Sequence, residues 1–206
     1  EIGGRPVLYY SLKQFEDCPQ VDEIVLVTGE QEIEYCRREI VERWGLKKVS
    51  RIVAGGQERY HSVHHGLCAL ADCDYVLIHD GARPFMDQAM LNRALETVRE
   101  TGACVVGMPV KDTIKVCDDR QFAVKTPRRS DLWMVQTPQV FSFPLIKKAY
   151  EKLMESGRSN VTDDAMVLET MEGHPVKLVE GSYRNIKITT PEDLLIAEAF
   201  LRAEKL

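Results

Sequence analysis

An apolar run, Tyr75-Val76-Leu77-Ile78, ends in His79-Asp80-Gly81-Ala82-Arg83-Pro84. The run has the character of a buried strand. A carboxylate at its end, followed three residues later by a guanidinium, needs a reason, because either charge buried alone is costly. At the carboxyl end of a strand in an open α/β sheet the usual reason is a ligand. Asp80 suits Mg2+, which takes one or two protein carboxylates and completes its octahedron with water and phosphate oxygens. Arg83 can grip a phosphate with its planar fork of donors. On this stretch alone, a simple surface pair between the two is an equal alternative.

Other fragments add to this chemistry. Gly55-Gly56-Gln57-Glu58-Arg59-Tyr60-His61-Ser62 also follows a strand and enters a helix. Glycines there let backbone approach a ligand, and the helix start offers free N–H groups. The stretch is neither a P-loop nor G-x-G-x-x-G, and by itself it also reads as a plain turn. Asp112-Thr113-Ile114-Lys115, Gln136-Thr137-Pro138-Gln139 and Asn185-Ile186-Lys187-Ile188-Thr189 combine a cation or hydroxyl with a turn or edge. If Ile186 and Ile188 face the core of a short strand, Lys187 faces the other side. No Ser-His-Asp or Cys-His grouping stands out, and no second carboxylate is spaced for glycoside hydrolysis. The pattern suggests phosphate handling by cations, with one metal-binding Asp and no covalent nucleophile.

The elements that must position these residues alternate. Strands are expected over Glu23 to Thr28, Val49 to Ala54, Tyr75 to His79 and Ala103 to Val110. Helices are expected from Pro6 through Phe15, over Glu30 to Trp44, about Glu58 to Leu70 and Ala89 to Glu100. This rhythm predicts an α/β fold with a mostly parallel, doubly wound sheet. Between Lys111 and Val140 the rhythm breaks into short β-like pieces, TIKVC, FAVKT and WMVQTPQVF. They predict an antiparallel β-arm, about residues 111–133, projecting from a single domain spanning 1–206. Exposed arm edges are economically covered by a second subunit, so a homodimer is expected. Helices at Pro144 to Ser156 and about Asp163 to Met171, strands at Val176 to Glu180 and Asn185 to Thr189, and a final helix opened by Thr190-Pro191-Glu192-Asp193 complete the chain.

The chain of 206 residues carries a formal net charge of −5, which speaks against a nucleic-acid surface but leaves room for a local basic pocket. No apolar run approaches a membrane span. Six scattered cysteines without a C-x-x-C pair read as buried or partly buried thiols in a reducing cytoplasm. His61 and His65, four apart on a helix, lack a third ligand and read as polar surface. The opening Glu1-Ile2-Gly3-Gly4-Arg5-Pro6 has no initiator Met, and a fold that begins with a loop and a helix leads us to expect a first strand upstream.

Six fragments in order, G-G-x-E-R-x-x-S-V, V-L-I-H-D-G-A-R-P-F, P-V-K-D-T-I-K, T-P-Q-V-F, T-D-D-A and N-I-K-I-T-T-P-E-D-L, make the chain resemble the 2-C-methyl-D-erythritol 4-phosphate cytidylyltransferases from Ile2 to the last helix. The resemblance implies a Rossmann-like nucleotidyltransferase fold and transfer of a cytidylyl group from CTP to a sugar-alcohol phosphate, with release of pyrophosphate in the non-mevalonate isoprenoid pathway. It implies that Asp80 helps hold Mg2+ and that Arg83 and Lys187 surround the phosphates. Gly56 and Ser62 match positions that contact the cytidine, with Gln57 standing where some relatives have Asp. Thr137 matches a substrate-pocket hydroxyl. Thr113 and Arg129, on the arm, match residues that reach the partner subunit's site. The family's glycine-rich P-A-A-G-x-G-x-R loop and its following Lys match nothing after Glu1 and are expected upstream of it. Two rivals share parts of this pattern: ribitol 5-phosphate cytidylyltransferase, and a non-catalytic dimeric nucleotide-binding module.

Overall fold

The computed structural model describes residues 1–203. Helix α1 (Val7–Glu16) leads to strand β1 (Ile24–Thr28). The expected helix over Glu30 to Trp44 is instead composite. A 3-10 turn, Glu30–Glu32, passes into a single α turn, α2 (Ile33–Tyr35), and then a π-helix, Cys36–Glu42. Cys36 and Ile40 still both reach the core, packing with Leu12, Leu26 and Leu46. Strand β2 (Val49–Ala54), helix α3 (Arg59–Ala69), strand β3 (Tyr75–Ile78), helix α4 (Gln88–Thr101) and strand β4 (Ala103–Pro109) follow.

The break in rhythm at Lys111 has two parts. Strands β5 (Val116–Cys117) and β6 (Ala123–Lys125) form a small antiparallel hairpin. Its turn is closed by Asp118, whose carboxylate accepts from the Arg120 and Phe122 amides, and by Gln121 in the left-handed region at φ 66°. The third piece, WMVQTPQVF, is not part of that hairpin. It forms β7 (Trp133–Ser142), a ten-residue strand between β3 and β4. Beyond it come α5 (Phe143–Ser156), α6 (Asp164–Glu172), β8 (Lys177–Glu180) and α7 (Pro191–Ala203). The segment Asn185–Thr189 is not assigned as a strand, although Ile188 donates one backbone bond to the Ala82 carbonyl.

The main sheet runs β3-β7-β4-β8. Strand β7 is antiparallel to both neighbours, while β8 is parallel to β4, so all but β7 point the same way. Alternation along these strands feeds two cores. Ala103, Val105 and Phe141 face α5 and α6, where Ile146, Tyr150 and Leu168 are fully buried. Cys104, Val106 and Val140 face α4, where Met90, Leu91, Ala94 and Val98 are fully buried. Covering both faces with helices makes the sheet doubly wound. Helix α4 is fixed at both ends: Asp87 accepts from the Met90 amide at 2.7 Å, and Gly102 closes it at φ 74°.

Strands β1 and β2 pair in parallel as a separate two-stranded sheet. Between β1 and β3 lies a cavity of about 740 Å3, lined by all of both strands, by parts of α1 and α3, and by the loops flanking the two strands. Neither strand has a hydrogen-bonded neighbour on that side among the described residues. The two open edges thus face each other across this cleft. The cavity also borders Thr28, Arg59, Ser62, His79 and Asp80. All six cysteines are free. Cys18, Cys36 and Cys104 are buried as expected, but Cys68, Cys73 and Cys117 are exposed because they sit on outward helix, loop and hairpin positions.

Candidate active site

Strand β3 ends at Ile78, and the chain turns immediately, with the Arg83 amide donating to the Asp80 carbonyl at 2.9 Å. The turn is held from beneath by a closed ring of hydrogen bonds. A carbonyl can only accept, so the 3.0 Å contact between His79 Nε2 and the Arg83 carbonyl places the ring proton on Nε2. His79 Nδ1 then accepts from the Thr137 hydroxyl at 3.0 Å. The Thr137 carbonyl accepts from Asn185 Nδ2 at 2.9 Å, and the Asn185 carbonyl accepts from Arg83 Nη1 at 2.7 Å, closing the ring. The Thr137 hydroxyl also accepts from the Asp80 amide at 3.0 Å. His79 packs edge-on to Phe15, and burial pushes its pKa down to about 4, outweighing its bonds to Arg83 and Thr137; it is neutral at pH 7.

Above this ring three cations converge on one carboxylate. Lys187 Nζ lies 3.0 Å from Asp80 Oδ2, Arg59 Nε 3.3 Å from Oδ1, and Arg83 Nε 3.7 Å from Oδ2. Burial alone would raise the Asp80 pKa. The Lys187 bond and the charges of Arg59, Lys187 and Arg83 outweigh it and hold the carboxyl below its usual range. Burial depresses Arg83 below its usual value against the pull of Asp80. Arg83 Nε is buried without a hydrogen-bond partner, since 3.7 Å from Asp80 is too long for one.

Arg59 has a second partner. Its two Nη groups bond both oxygens of Asp164, at 2.9 and 2.8 Å. Three cations against the two carboxylates Asp80 and Asp164 leave one positive charge at a strand end, in a chain that is negative overall.

The residues expected from sequence fall into three groups. Asp80, Arg83 and Lys187 come together. Lys187 does face opposite to Ile186 and Ile188, which pack against the Ile2, Phe85 and Ala197 cluster, even though the segment is not a paired strand. Gly56 and Gln57 lie on the loop entering α3, and Ser62 lies in the first turn of that helix. There Ser62 Oγ accepts from the Gly56 amide at 3.0 Å, and Glu58 and His61 form a capping box. A Cβ at Gly56 would sit 2.3 Å from His61 Cβ, so close packing on its own helix already requires glycine. Thr137 is 4% exposed, beneath the turn. Thr113 and Arg129 lie on the exposed arm segment, with Arg129 Nη1 bonded to the Lys111 carbonyl at 3.0 Å. No contact within this chain brings either to Asp80 among the described residues.

Sequence reasoning gave no role to Arg59, Asp164, Tyr150, His79 or Asn185. Arg59 and Asp164 stand inside fragments that carried the resemblance, G-G-x-E-R and T-D-D-A, so a signal existed. Tyr150 had none beyond a helical apolar position.

The comparisons with known proteins converge. The family model described as 2-C-methyl-D-erythritol 4-phosphate cytidylyltransferase matches residues 1–203. The enzyme of that name from Lachnospira eligens is 51% identical over 203 residues, covering 98% of this chain and 89% of the relative. The one from Alkaliphilus oremlandii is 46% identical over 206 residues, covering 100% and 86%. Among solved structures, 4-diphosphocytidyl-2C-methyl-D-erythritol synthase from Anaerococcus prevotii superposes with a TM-score of 0.89 at 36% identity, covering 98% of this chain and 88% of that one. The cytidylyltransferase of Thermus thermophilus gives 0.79 at 32%, covering 98% and 92%.

Proposed function

This chain belongs to the 2-C-methyl-D-erythritol 4-phosphate cytidylyltransferase family, and we propose that the Asp80 cluster is its active centre. The activity is the coupling of CTP to 2-C-methyl-D-erythritol 4-phosphate, giving 4-diphosphocytidyl-2-C-methyl-D-erythritol and pyrophosphate in isoprenoid biosynthesis. The observation that carries the siting is the convergence of Arg59, Arg83 and Lys187 on one ionised carboxylate at the end of β3.

Both substrates are anionic. A phosphate oxygen of the sugar alcohol, ionised at pH 7, attacks the α-phosphorus of CTP; the new P–O bond forms as the bond to pyrophosphate breaks. The nucleophile needs no general base, so the protein's task is positioning and charge compensation. Arg83, with its buried Nε free of a hydrogen-bond partner, and Lys187 are the groups we assign to the phosphates. Thr137 acts from below by holding the Asp80 amide. Gly56, Gln57 and Ser62 are assigned to the nucleoside.

No group of three potential metal ligands exists among the described residues. A single ionised carboxylate nevertheless fits Mg2+ that arrives on the triphosphate, whose oxygens and water complete the octahedron. Asp80 is the residue that would hold it, and the ion would offset triphosphate charge.

Thr113 and Arg129 serve the site of a second copy in this reading. The arm supports it: Phe122 and Val124 are 64% and 62% exposed and two residues apart on one hairpin edge, an apolar face suited to a homodimer. A reducing cytoplasm suits the six free thiols, and no described helix is long and apolar enough to cross a membrane.

Pyrophosphate release with CTP, Mg2+ and either methylerythritol phosphate or ribitol 5-phosphate tests the proposal. Release with the first acceptor, lowered about a hundredfold or more in Asp80→Asn, is expected. Release undiminished in Asp80→Asn would move the active centre elsewhere.

A further inference from the structure

The Asp80 cluster continues inward through side chains that the reaction itself does not use. Asp164, the first residue of α6, has no exposed surface, and its carboxylate takes three side-chain hydrogen bonds. Two come from the Arg59 guanidinium. The third comes from the Tyr150 hydroxyl, 2.5 Å from Oδ1, on a side chain of α5 that is itself fully buried. Burial and Asp164 both hold the phenol in its protonated, donating form. A bidentate Arg–carboxylate pair fixes the plane of the guanidinium as well as its position. With both Nη groups committed to Asp164, the Nε edge remains, and it meets Asp80 Oδ1 at 3.3 Å.

The two oxygens of Asp80 therefore have partners of different character. Oδ1 faces a guanidinium anchored in the interior by a residue 105 positions away in the chain. Oδ2 faces Lys187, a flexible-stemmed ammonium that is 42% exposed. A buried carboxylate is expensive unless paired, and Asp164 with Tyr150 could have been apolar if packing were their only task.

We propose that Tyr150, Asp164 and Arg59 form a positioning relay for Asp80. The buried carboxylate and phenol lock the guanidinium, and the guanidinium sets the rotation of the Asp80 carboxylate so that Oδ2 faces the nucleotide side. None of the three touches a reacting atom. The relay rests on Asp80 being the acid of the active centre, so Asp80→Asn serves as a reference variant.

The test is steady-state pyrophosphate release by the wild type, Arg59→Lys, Tyr150→Phe, Asp80→Asn and the double variants that join each of the first two to the third, with thermal unfolding of each. Lysine keeps the charge but has no fork, and cannot span Asp164 and Asp80. The expected result is a fall of about tenfold or more in kcat/KM for CTP in Arg59→Lys, with the KM for the sugar phosphate changed less than about twofold. Tyr150→Phe moves the same parameter in the same direction, by about threefold, because the bidentate pair survives. In the Asp80→Asn background, either change costs less than about twofold more, since its effect travels through Asp80. A network that only supports the fold would lower the unfolding temperature and cost the same factor with or without Asp80. Full additivity, wild-type kinetics in Arg59→Lys, or a change confined to the sugar-phosphate KM overturns the relay. Wild-type turnover in Asp80→Asn overturns the siting on Asp80, and the relay with it. Should Arg59→Lys fail to fold, Tyr150→Phe, which removes only the hydroxyl, carries the same cycle.

Discussion

The Asp80 cluster and the hairpin arm are both assigned to substrate, yet they are built in opposite ways. Around Asp80 the partners come from separate parts of the chain: α3, the turn after β3, the start of α6 and the segment before α7. Each charge is fixed by groups far away in sequence, and the turn rests on the His79–Thr137–Asn185–Arg83 ring. In the arm the side-chain bonds are local. Lys115 Nζ reaches Thr126 across the hairpin, Asp118 closes its own turn, and Arg129 bonds the Lys111 carbonyl. Its large side chains, Val116, Phe122 and Val124, stay exposed. The first region is organised before ligand arrives, whereas among the described residues the arm is anchored only at its base, where Lys111 Nζ lies 3.4 Å from the centre of the Tyr183 ring, and its hairpin carries local bonds alone.

The sharpest way to break this contrast is Asp80→Asn. Asparagine keeps the shape and removes the charge around which three cations gather, so we expect turnover to fall about a hundredfold or more while the protein still unfolds cooperatively. The measurement is pyrophosphate release alongside a thermal melt. Equal losses of activity and stability would mean that the cluster is a structural ion pair rather than a reaction centre.

On the arm, replacing Phe122 and Val124 together by Asp is expected to dissociate the proposed dimer and lower turnover by tens of fold at dilute enzyme, because Thr113 and Arg129 would then not reach a second copy. Sedimentation velocity beside the assay decides it; a monomeric wild type would remove the arm from the interface. A smaller effect is expected from Arg129→Ala, about a tenfold rise in KM for the sugar phosphate with the KM for CTP unchanged. An effect on CTP alone would break the assignment of the arm to the acceptor.

The same contrast governs what the sequence disclosed. Asp80 and Arg83 were legible because a charge at the end of an apolar strand is a local anomaly, and Lys187 because alternation works even over a few residues. Asp164 was not, because T-D-D-A reads locally as a helix start. Asp163 indeed caps α6, accepting from the Met166 amide, and only packing shows that its neighbour turns inward to Arg59. The sequence groups WMVQTPQVF with the β-like pieces of the arm because it too is β-like and comes after them; its place as β7 between β3 and β4 depends on pairings tens of residues away. The π-helix over Cys36–Glu42 has no sequence feature to which we can tie it.

The weakest expected effect concerns the ring beneath Asp80, and it separates the two regions by pH. His79 has a folded pKa near 4 against an ordinary 6.5. Between those values the unfolded chain binds a proton that the folded one does not, so stability contributed by neutral His79 is full above about pH 6.5 and is lost as pH falls towards 4. The shift bounds this at about 3 kcal/mol. Asp80, depressed below 3.8, loses its contribution only at still lower pH, so the two windows are distinct. His64 is also lowered by burial and adds in the same direction, which makes a variant necessary. In His79→Gln the amide can donate to the Arg83 carbonyl and accept from Thr137, keeping the ring while removing the titration. Urea unfolding at pH 7 and pH 5 should then show a smaller drop in the variant than in the wild type. An equal drop in both would mean that His79 is charged at pH 5 in the folded protein, and that the turn holding Asp80 is as open to solvent as the arm.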